Sequence, residues 1–428
     1  MTQPVQARAW IVAAMLFLFM LINFADKAVL GLSAVPIMQE LNLSHTQFGA
    51  IGSSFFAFFS LAAILCGFLV NRVPATRVLL LMALIWALCQ LPMLLPVGFA
   101  ALVANRVVLG LGEGPAYPVA LHALFKWFPN ERRPVATSLV AIGGAVGAGV
   151  VAPFIMQIIV HVSWHAAFFV LGVAGIVWCL AWLVLGREGP LAAEPTLAEV
   201  AGGEGRIPYA RLLFSRTFVG GWLCGFSAYW MLTTALTWST AYMIKGIGFT
   251  PTQAGWIAAL PALCQIVGMP ALCRASEVLK RRGLSSRVSR GLFSGGCVAF
   301  SGLMMLGLSM ATGKVLPVVF SCLALSVSAV HYSLGHVMVA EITPVSQRGA
   351  MLGLNNALAT MAGPFAPVLM GLVIDVGADP IAGYRHGFFL LGLFVVACGL
   401  VGAVLMDPEA DRRRFARASG PVLAAAAD

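Results

Sequence analysis

Long uncharged apolar stretches, separated by short basic clusters, constrain this chain more than any other feature. Crossing the hydrocarbon core of a bilayer takes about 20 apolar residues. Only 10% of the 428 residues are charged, against roughly a quarter in a soluble domain, and the period-two alternation of a membrane β-barrel is absent. The sequence therefore predicts an all-α membrane protein with twelve transmembrane helices. They cover residues 10–35, 47–70, 78–97, 100–123, 135–160, 166–186, 217–242, 252–272, 291–311, 316–340, 350–375 and 386–406.

The net charge of +10 is explained by membrane orientation. Lys245, Lys314 and Arg385 fall on one side of the predicted membrane, and Lys27 and Arg106 fall within spans. The remaining 21 of the 26 Lys and Arg residues lie on the other side. Because cytoplasmic loops carry the excess of basic residues, we expect a multi-pass protein of the inner (plasma) membrane with both termini in the cytoplasm. We expect no nucleic-acid partner.

A polar segment rich in Glu, Gly and Pro divides the chain near its midpoint. The pair Phe168-Phe169 before it recurs as Phe388-Phe389 after it, at a shift of about half the chain length, as a duplication requires. We therefore predict two pseudo-symmetric six-helix bundles. The predicted divisions are an N-terminal bundle over 1–186, a cytoplasmic linker over 187–210, a C-terminal bundle over 211–407 and a cytoplasmic tail over 408–428.

Four ionisable residues lie well inside predicted spans: Asp26, Lys27, Arg106 and Glu113. Such residues are costly in a bilayer, so each is a functional candidate. Arg106 and Glu113 are about two helical turns apart and face the same side, and Tyr117 lies near that face. The four charges sum to zero, as an empty cavity with internal pairing requires. The alternative interpretation is two static ion pairs that hold helices together.

These segments resemble a known family. Two six-helix halves joined by a charged loop are typical of the major facilitator superfamily, whose halves move about a site at the middle of the membrane. Residues 23–27, 106–118 and 164–168 are similar to those of the anion:cation symporter family. That family includes bacterial sugar-acid/proton symporters and organic-anion carriers of the sialin and vesicular glutamate type. The resemblance implies the same fold and the transport of an organic anion.

The resemblance also implies roles for individual residues. Glu113 matches the proton-coupling carboxylate, and Asp26 matches its acidic partner in the first span. Arg106 matches an arginine that couples the substrate and proton sites, and Asn356 matches a polar residue of the substrate pocket. Lys27 replaces the usual arginine, so a point charge takes the place of a bidentate group. The sequence also has fewer side chains than the family that could hydrogen-bond the hydroxyls of a substrate. Both differences favour a small or apolar carboxylate over a polyhydroxylated sugar acid.

Aromatic residues and a cytoplasmic loop complete the predicted sites. We expect Tyr117 and Trp238 to contribute to substrate binding, with aromatic belts at the membrane interface as the alternative for Trp238. Arg72 and Arg77, between the second and third spans, resemble the superfamily's gating loop. Asn71 stands where that loop usually has Asp, so the conformational latch should be weaker here.

The sequence predicts a transporter and not an enzyme. It contains no catalytic motif and no metal-ligand spacing among its nine cysteines, so we assign no catalytic residue, no metal and no cofactor. The predicted function is proton-coupled symport of a small organic anion into the cell, driven by the proton gradient, by a monomer in the lipid bilayer. The alternative is a proton antiporter that exports a drug or a metabolite.

Overall fold

The structure is a computed structural model that describes residues 3–59, 61–62, 73–128, 133–190, 207–344 and 347–418. The N-terminal half contains α1 (Gln3–Leu32), α2 (Ala34–Glu40), α3 (His45–Phe56), α4 (Ala75–Gln90), α5 (Phe99–Glu113), α6 (Ala116–Phe125), α7 (Arg133–Ala145), α8 (Ala152–His161) and α9 (Trp164–Leu185). The C-terminal half contains α10 (Tyr209–Leu213), α11 (Arg216–Ala241), α12 (Pro251–Arg281), α13 (Phe293–Met310), α14 (Val315–Ser328), α15 (Val330–Ile342), α16 (Arg348–Thr360), α17 (Ala366–Val376), α18 (Pro380–Leu405) and α19 (Pro408–Ala418).

Helices satisfy every backbone polar group within the segment, which is why apolar spans adopt them in lipid. Within the described ranges, eight helical segments are long and apolar enough to cross a bilayer. Of the other predicted spans, 100–123 and 350–375 are each divided between two shorter helices, and 47–70 runs into residues outside the described ranges. Span 217–242 is a helix of 26 residues, rich in Thr, Ser and Gly. The all-α prediction is confirmed, and the count of twelve stays a prediction.

The fourth predicted span is interrupted where its sequence requires it. Pro115 has no backbone N–H, and in a continuous helix its ring would clash with the carbonyl group four residues earlier, so α5 ends at Glu113 and α6 begins at Ala116. Glycines let α5 approach the second span closely. A Cβ atom added to Gly110 would lie 1.8 Å from the carbonyl oxygen of Phe55. Only a residue without a side chain permits that contact.

Contacts between Cα atoms divide the chain into two units. Unit 1 comprises Met1–Glu194, Thr233–Leu263 and Gly363–Tyr384; unit 2 comprises Pro195–Leu232, Cys264–Ala362 and Arg385–Asp428. Unit 1 therefore includes the N-terminal helices together with two segments from the second half of the chain. The predicted domains are continuous stretches of the chain, whereas these units group segments by their contacts. The units therefore do not test the predicted boundaries, which stay a prediction.

A carboxylate caps the start of a helix in each unit. In unit 1, Glu188 accepts hydrogen bonds from the backbone N–H of Thr76 at 2.9 Å and from Lys126 at 2.8 Å. Burial raises the pKa of Glu188, but the bonds from Lys126 and Thr76 lower it by more. In unit 2, Glu409 accepts at 2.7 Å from the N–H of Ser286, which directly precedes the helical segment Arg287–Leu292 that leads into α13, and this bond lowers the pKa of Glu409. Each carboxylate follows the last long helix of its half, consistent with a duplicated architecture.

Candidate functional site: four charges beside a cavity in unit 1

Helices α1 and α5 bring the four predicted intramembrane charges together. Asp26 and Lys27 lie on α1, and Arg106 and Glu113 lie on α5. Asp26, Arg106 and Glu113 are each 1% exposed, and the Lys27 side chain is 10% exposed. A buried charge without a partner is strongly destabilising, so the contacts of these four groups determine what the site can do.

Lys27 is the counter-charge of Glu113. Its Nζ lies 3.3 Å from Oε2 of Glu113 and donates a hydrogen bond to Oδ1 of Asn23 at 2.5 Å. The ammonium also lies over the Phe24 ring, 4.4 Å from its centroid, and 5.5 Å from that of Phe59. Within the described residues, neither oxygen of Glu113 accepts a hydrogen bond. The carboxylate therefore depends mainly on the charge of Lys27.

Arg106 is incompletely satisfied. One nitrogen, Nη1, donates to the backbone oxygen of Asp26 at 3.3 Å, and the guanidinium lies 5.0 Å from the Phe168 ring centroid. Its Nε and Nη2 have no hydrogen-bond partner within the described residues. The Asp26 carboxylate instead accepts from Nε2 of Gln90 at 2.9 Å. Unpaired buried donors are costly, so a ligand that accepts from Arg106 would stabilise the site.

A small, partly open cavity adjoins the two cations. Its lining is mostly apolar, and the charged groups in it are those of Lys27 and Arg106. The full lining consists of Lys27, Leu30, Gly52, Phe55, Phe56, Arg106, Leu236 and Thr237. Two positive groups in an otherwise apolar wall suit a small anion, with the hydroxyl of Thr237 able to contact a polar atom on its body.

Comparison with known proteins identifies the family. The family model described as Major Facilitator Superfamily matches residues 16–242 and 221–426. The chain belongs to this superfamily. It is therefore a multi-pass membrane protein of a transporter family, and the prediction of a transporter instead of an enzyme is confirmed.

Several individual proteins are similar over nearly the whole chain. The hexuronate transporter of Bacillus subtilis (strain 168) is 26% identical over 419 residues, which cover 95% of this chain and 97% of the relative. The D-galactonate transporter of Escherichia coli O6:H1 (strain CFT073) is 25% identical over 423 residues, 93% of this chain and 94% of the relative.

A solved structure confirms the superfamily fold. It is a bacterial homologue of the human lysosomal transporter Spinster in an inward-facing and unoccupied conformation. It superimposes with a TM-score of 0.78 at 16% identity, covering 96% of this chain and 99% of that one. The resemblance to organic-anion carriers that the charged spans suggested is also confirmed, since the relatives found by sequence include transporters named for sugar acids.

Three further predicted binding residues of this superfamily member lie outside the cavity lining. Tyr117, on α6, is 39% exposed. Trp238 is fully buried: its Nε1 donates to the backbone oxygen of Pro367 at 2.9 Å, and its ring packs against Phe48 with centroids 5.4 Å apart. Asn356 is exposed on α16 in unit 2. Their contributions to substrate binding stay predictions.

The gating prediction concerned two arginines of the loop between the second and third spans. Arg77 is exposed in the first turn of α4, and Arg72 lies outside the described residues. The gating role of both residues stays a prediction.

Sequence reasoning missed three residues that contact the charges or line the cavity. Gln90, which bonds Asp26, gave a usable signal, since it is a lone amide at the end of an apolar run. Thr237 lines the cavity, but threonine is common in membrane helices and carried no distinct signal. Phe168 lies against Arg106 from a different helix, and no local pattern distinguishes it from other aromatic residues.

Proposed function

We propose that this chain transports a small organic anion into the cell together with protons, by alternating access. Its relatives are named as transporters of hexuronate and D-galactonate, which supports an organic anion as substrate. The observation that carries the proposal is the position of Lys27, which lines the cavity and also pairs with Glu113 at 3.3 Å. One cation is thus shared between the substrate and a carboxylate that can accept a proton.

Coupling follows from competition for that cation. An anion that enters the cavity attracts the ammonium of Lys27 and weakens its interaction with Glu113. A buried carboxylate without a counter-charge costs several kcal/mol, and taking up a proton removes that cost. When the substrate leaves, Lys27 again favours the ionised carboxylate and the proton is released. Substrate and proton therefore bind together and leave together.

Charge balance gives the expected stoichiometry. Asp26, Glu113, Lys27 and Arg106 sum to zero when the cavity is empty. A monovalent anion together with one proton preserves that sum, whereas an anion alone leaves a net negative charge in a region of low dielectric constant. We therefore expect one proton per monovalent anion, with the proton gradient as the driving force and no bound cofactor.

The cavity favours a small carboxylate with a largely apolar body. The cavity is small and lined mainly by Leu and Phe side chains, and Thr237 supplies the hydroxyl of the lining. The hydroxyls of a polyhydroxylated sugar acid would be buried there without partners, at a cost for each. Arg106 offers two free N–H groups in a planar arrangement that matches a carboxylate. We also propose that the protein works as a monomer in the inner membrane, with both termini in the cytoplasm.

The test uses the purified chain in liposomes with a more acidic medium outside. Labelled short-chain carboxylates and hexuronate are offered separately, while a trapped dye reports the internal pH. We expect uptake of the short carboxylate with acidification of the interior; alkalinisation on uptake would indicate the antiporter instead. Glu113→Gln should lose accumulation against a gradient but retain counterflow exchange.

Glu277→Gln is the matched control, because Glu277 is an exposed carboxylate on the cytoplasmic end of α12. It should accumulate substrate like the unmodified protein. If Glu113→Gln still concentrates substrate when only a pH gradient is applied, Glu113 is not the coupling group. If hexuronate displaces the short carboxylate at lower concentration than any apolar carboxylate, the proposed substrate class is wrong.

A further inference from the structure

The helix that follows the last membrane span presents three consecutive exposed arginines. Helix α19 begins three residues after α18 ends, and Arg412, Arg413 and Arg414 are all exposed. Its two acidic residues are turned into the protein instead. Asp411 accepts a hydrogen bond from the backbone N–H of Thr217 at 2.8 Å, and Glu409 accepts from Lys280 at 2.9 Å. The outer face of the helix is therefore strongly positive.

A second basic element lies against the same helix in unit 2. Arg211 and Arg216, on α10 and at the start of α11, are both exposed. Thr217, the residue next to Arg216, bonds Asp411 of α19, and Leu212 and Phe415 belong to one buried apolar cluster. The two elements therefore form one surface, which we call the basic-aromatic surface. It consists of Tyr209, Arg211, Phe214, Arg216, Arg412, Arg413 and Arg414.

The aromatic members of this surface are unusually exposed. Phe214 is 81% exposed and Tyr209 is 46% exposed. Both lie directly before a membrane span, at the depth where aromatic side chains sit among lipid headgroups. An exposed phenylalanine in water is unfavourable, but its ring can enter the acyl boundary of a bilayer while the neighbouring arginines remain in the polar layer.

The five arginines of this surface form no close ion pair within the described part of the protein, although Arg413 lies near enough to Glu409 to help lower the pKa of that carboxyl. In the described ranges none of them takes part in an ion pair, whereas basic residues elsewhere on the cytoplasmic side do. Lys280 pairs with Glu409, and Arg290 pairs with Glu341. The positive-inside rule accounts for basic residues on this side in general. It does not require that five of them, none in an ion pair, lie beside two exposed aromatic rings.

We propose that the basic-aromatic surface binds the headgroup of an anionic phospholipid in the cytoplasmic leaflet. Guanidinium groups bind phosphate in a bidentate manner, and basic clusters next to a membrane span attract anionic lipids. The aromatic rings favour a lipid over a soluble phosphate, because they need an acyl region to enter. None of its residues lines the transport cavity described above, and all of them belong to unit 2.

The experiment measures binding of phosphatidylglycerol, with phosphatidylcholine for comparison, to the purified full chain in detergent micelles. A fluorescent lipid reports binding, and soluble glycerol phosphate is added as a competitor. The test variant is R412Q/R413Q/R414Q. The control is R274Q/R281Q/R282Q, which removes the same charge from exposed arginines on and after the end of α12. A third variant, R412K/R413K/R414K, keeps the charge.

Each surface cation contributes about fivefold to the affinity for an anionic membrane, so the test variant should bind phosphatidylglycerol on the order of 100-fold more weakly. The control should stay within about threefold of the unmodified protein, and the Lys variant should retain most of the binding. F214S should weaken lipid binding without changing the folded state, measured by its melting temperature.

Three results would overturn the proposal. Equal losses in the two Gln triple variants would show that net charge alone attracts the lipid. Equal affinity of the unmodified protein for phosphatidylcholine and phosphatidylglycerol would show that the charge of the headgroup does not determine binding. Displacement of the lipid by glycerol phosphate at similar concentrations would identify a soluble phosphate, and not a membrane lipid, as the ligand. If the test variant does not fold, phosphatidylglycerol binding by F214S is compared with binding by the control. Weaker binding by F214S supports the proposal, and equal binding by the two overturns it.

Discussion

Replacing Asp375 with Asn should open the outer end of the transporter. Asp375 lies at the end of α17, and its carboxylate accepts four hydrogen bonds from the start of α3. The donors are the backbone N–H of His45 at 3.1 Å, the His45 ring at 2.7 Å, the backbone N–H of Thr46 at 2.7 Å and the Thr46 hydroxyl at 2.6 Å. With both termini predicted in the cytoplasm, these helix ends lie on the outer side.

The two helices also pack without intervening side chains. A Cβ atom on Gly371 would lie 2.3 Å from the carbonyl oxygen of His45, and one on Gly49 would lie 2.4 Å from that of Pro367. Such contact holds the two helices tightly together, so we expect a state with an open outer end to require that α3 and α17 separate. The bonds to Asp375 must then break.

The structure sets the size of the effect. Hydrogen bonds to a charged group contribute about 1.5–3 kcal/mol each, and interaction with the start of a helix adds about 0.3–1 kcal/mol. Asn keeps one acceptor oxygen, so about two of the four bonds are lost. Because the Asp375 side chain is 27% exposed, water replaces part of the loss. A net change of about 2 kcal/mol shifts the ratio of open to closed states about 30-fold.

The assay is labelling of a single cysteine placed at Leu236, which lines the cavity, in a variant whose native cysteines are replaced by Ser. A maleimide that cannot cross the membrane is added from outside, and the labelling rate follows the population of the open state. We expect Asp375→Asn to increase the rate about 30-fold. Asp379→Asn, which alters an exposed carboxylate that bonds the N–H of Ala382, is the control. A rate within threefold of the control would refute the reasoning.

Three other predictions concern binding and stability. Arg106→Ala should eliminate anion binding, measured by calorimetry, because it removes the two N–H groups that have no acceptor in the protein and could donate to the anion. Lys27→Gln should weaken the binding of all anions together, and the double change with Asp26→Asn should not restore it if Lys27 contacts the substrate. Glu409, whose pKa is lowered chiefly by the N–H of Ser286, stabilises the fold above its ordinary pKa. That contribution is lost as the pH falls through the lowered value, so the melting temperature of Glu409→Gln should depend less on pH in the acidic range.

Each of these three predictions has a result that would contradict it. Near-normal affinity in Arg106→Ala would show that Arg106 only holds helices together and does not contact the anion. Recovery of binding in the double variant would remove Lys27 from the substrate site and leave it only the role of balancing the charge of the buried carboxylates. An unchanged pH dependence in Glu409→Gln would mean that the cap on Ser286 contributes nothing to stability.

The sequence by itself determined the membrane architecture and the charged residues of the site. A long apolar run has one low-energy conformation in lipid, so the helices follow from composition and length. Asp26, Lys27, Arg106 and Glu113 were visible because an ionisable residue in such a run is costly and therefore conspicuous. Helical spacing alone put Arg106 and Glu113 on the same face.

The tertiary structure decided which groups these charges contact. That Lys27 pairs with Glu113, while Asp26 bonds Gln90, depends on how helices from different parts of the chain pack together. The capping of α3 by Asp375 joins residues 330 positions apart. No local sequence pattern at Asp375 or at the start of α3 indicates this contact. Helical periodicity reports which side of a helix is polar, but hydrogen bonds are made at fixed distances between helices, so only the packed structure selects the partner.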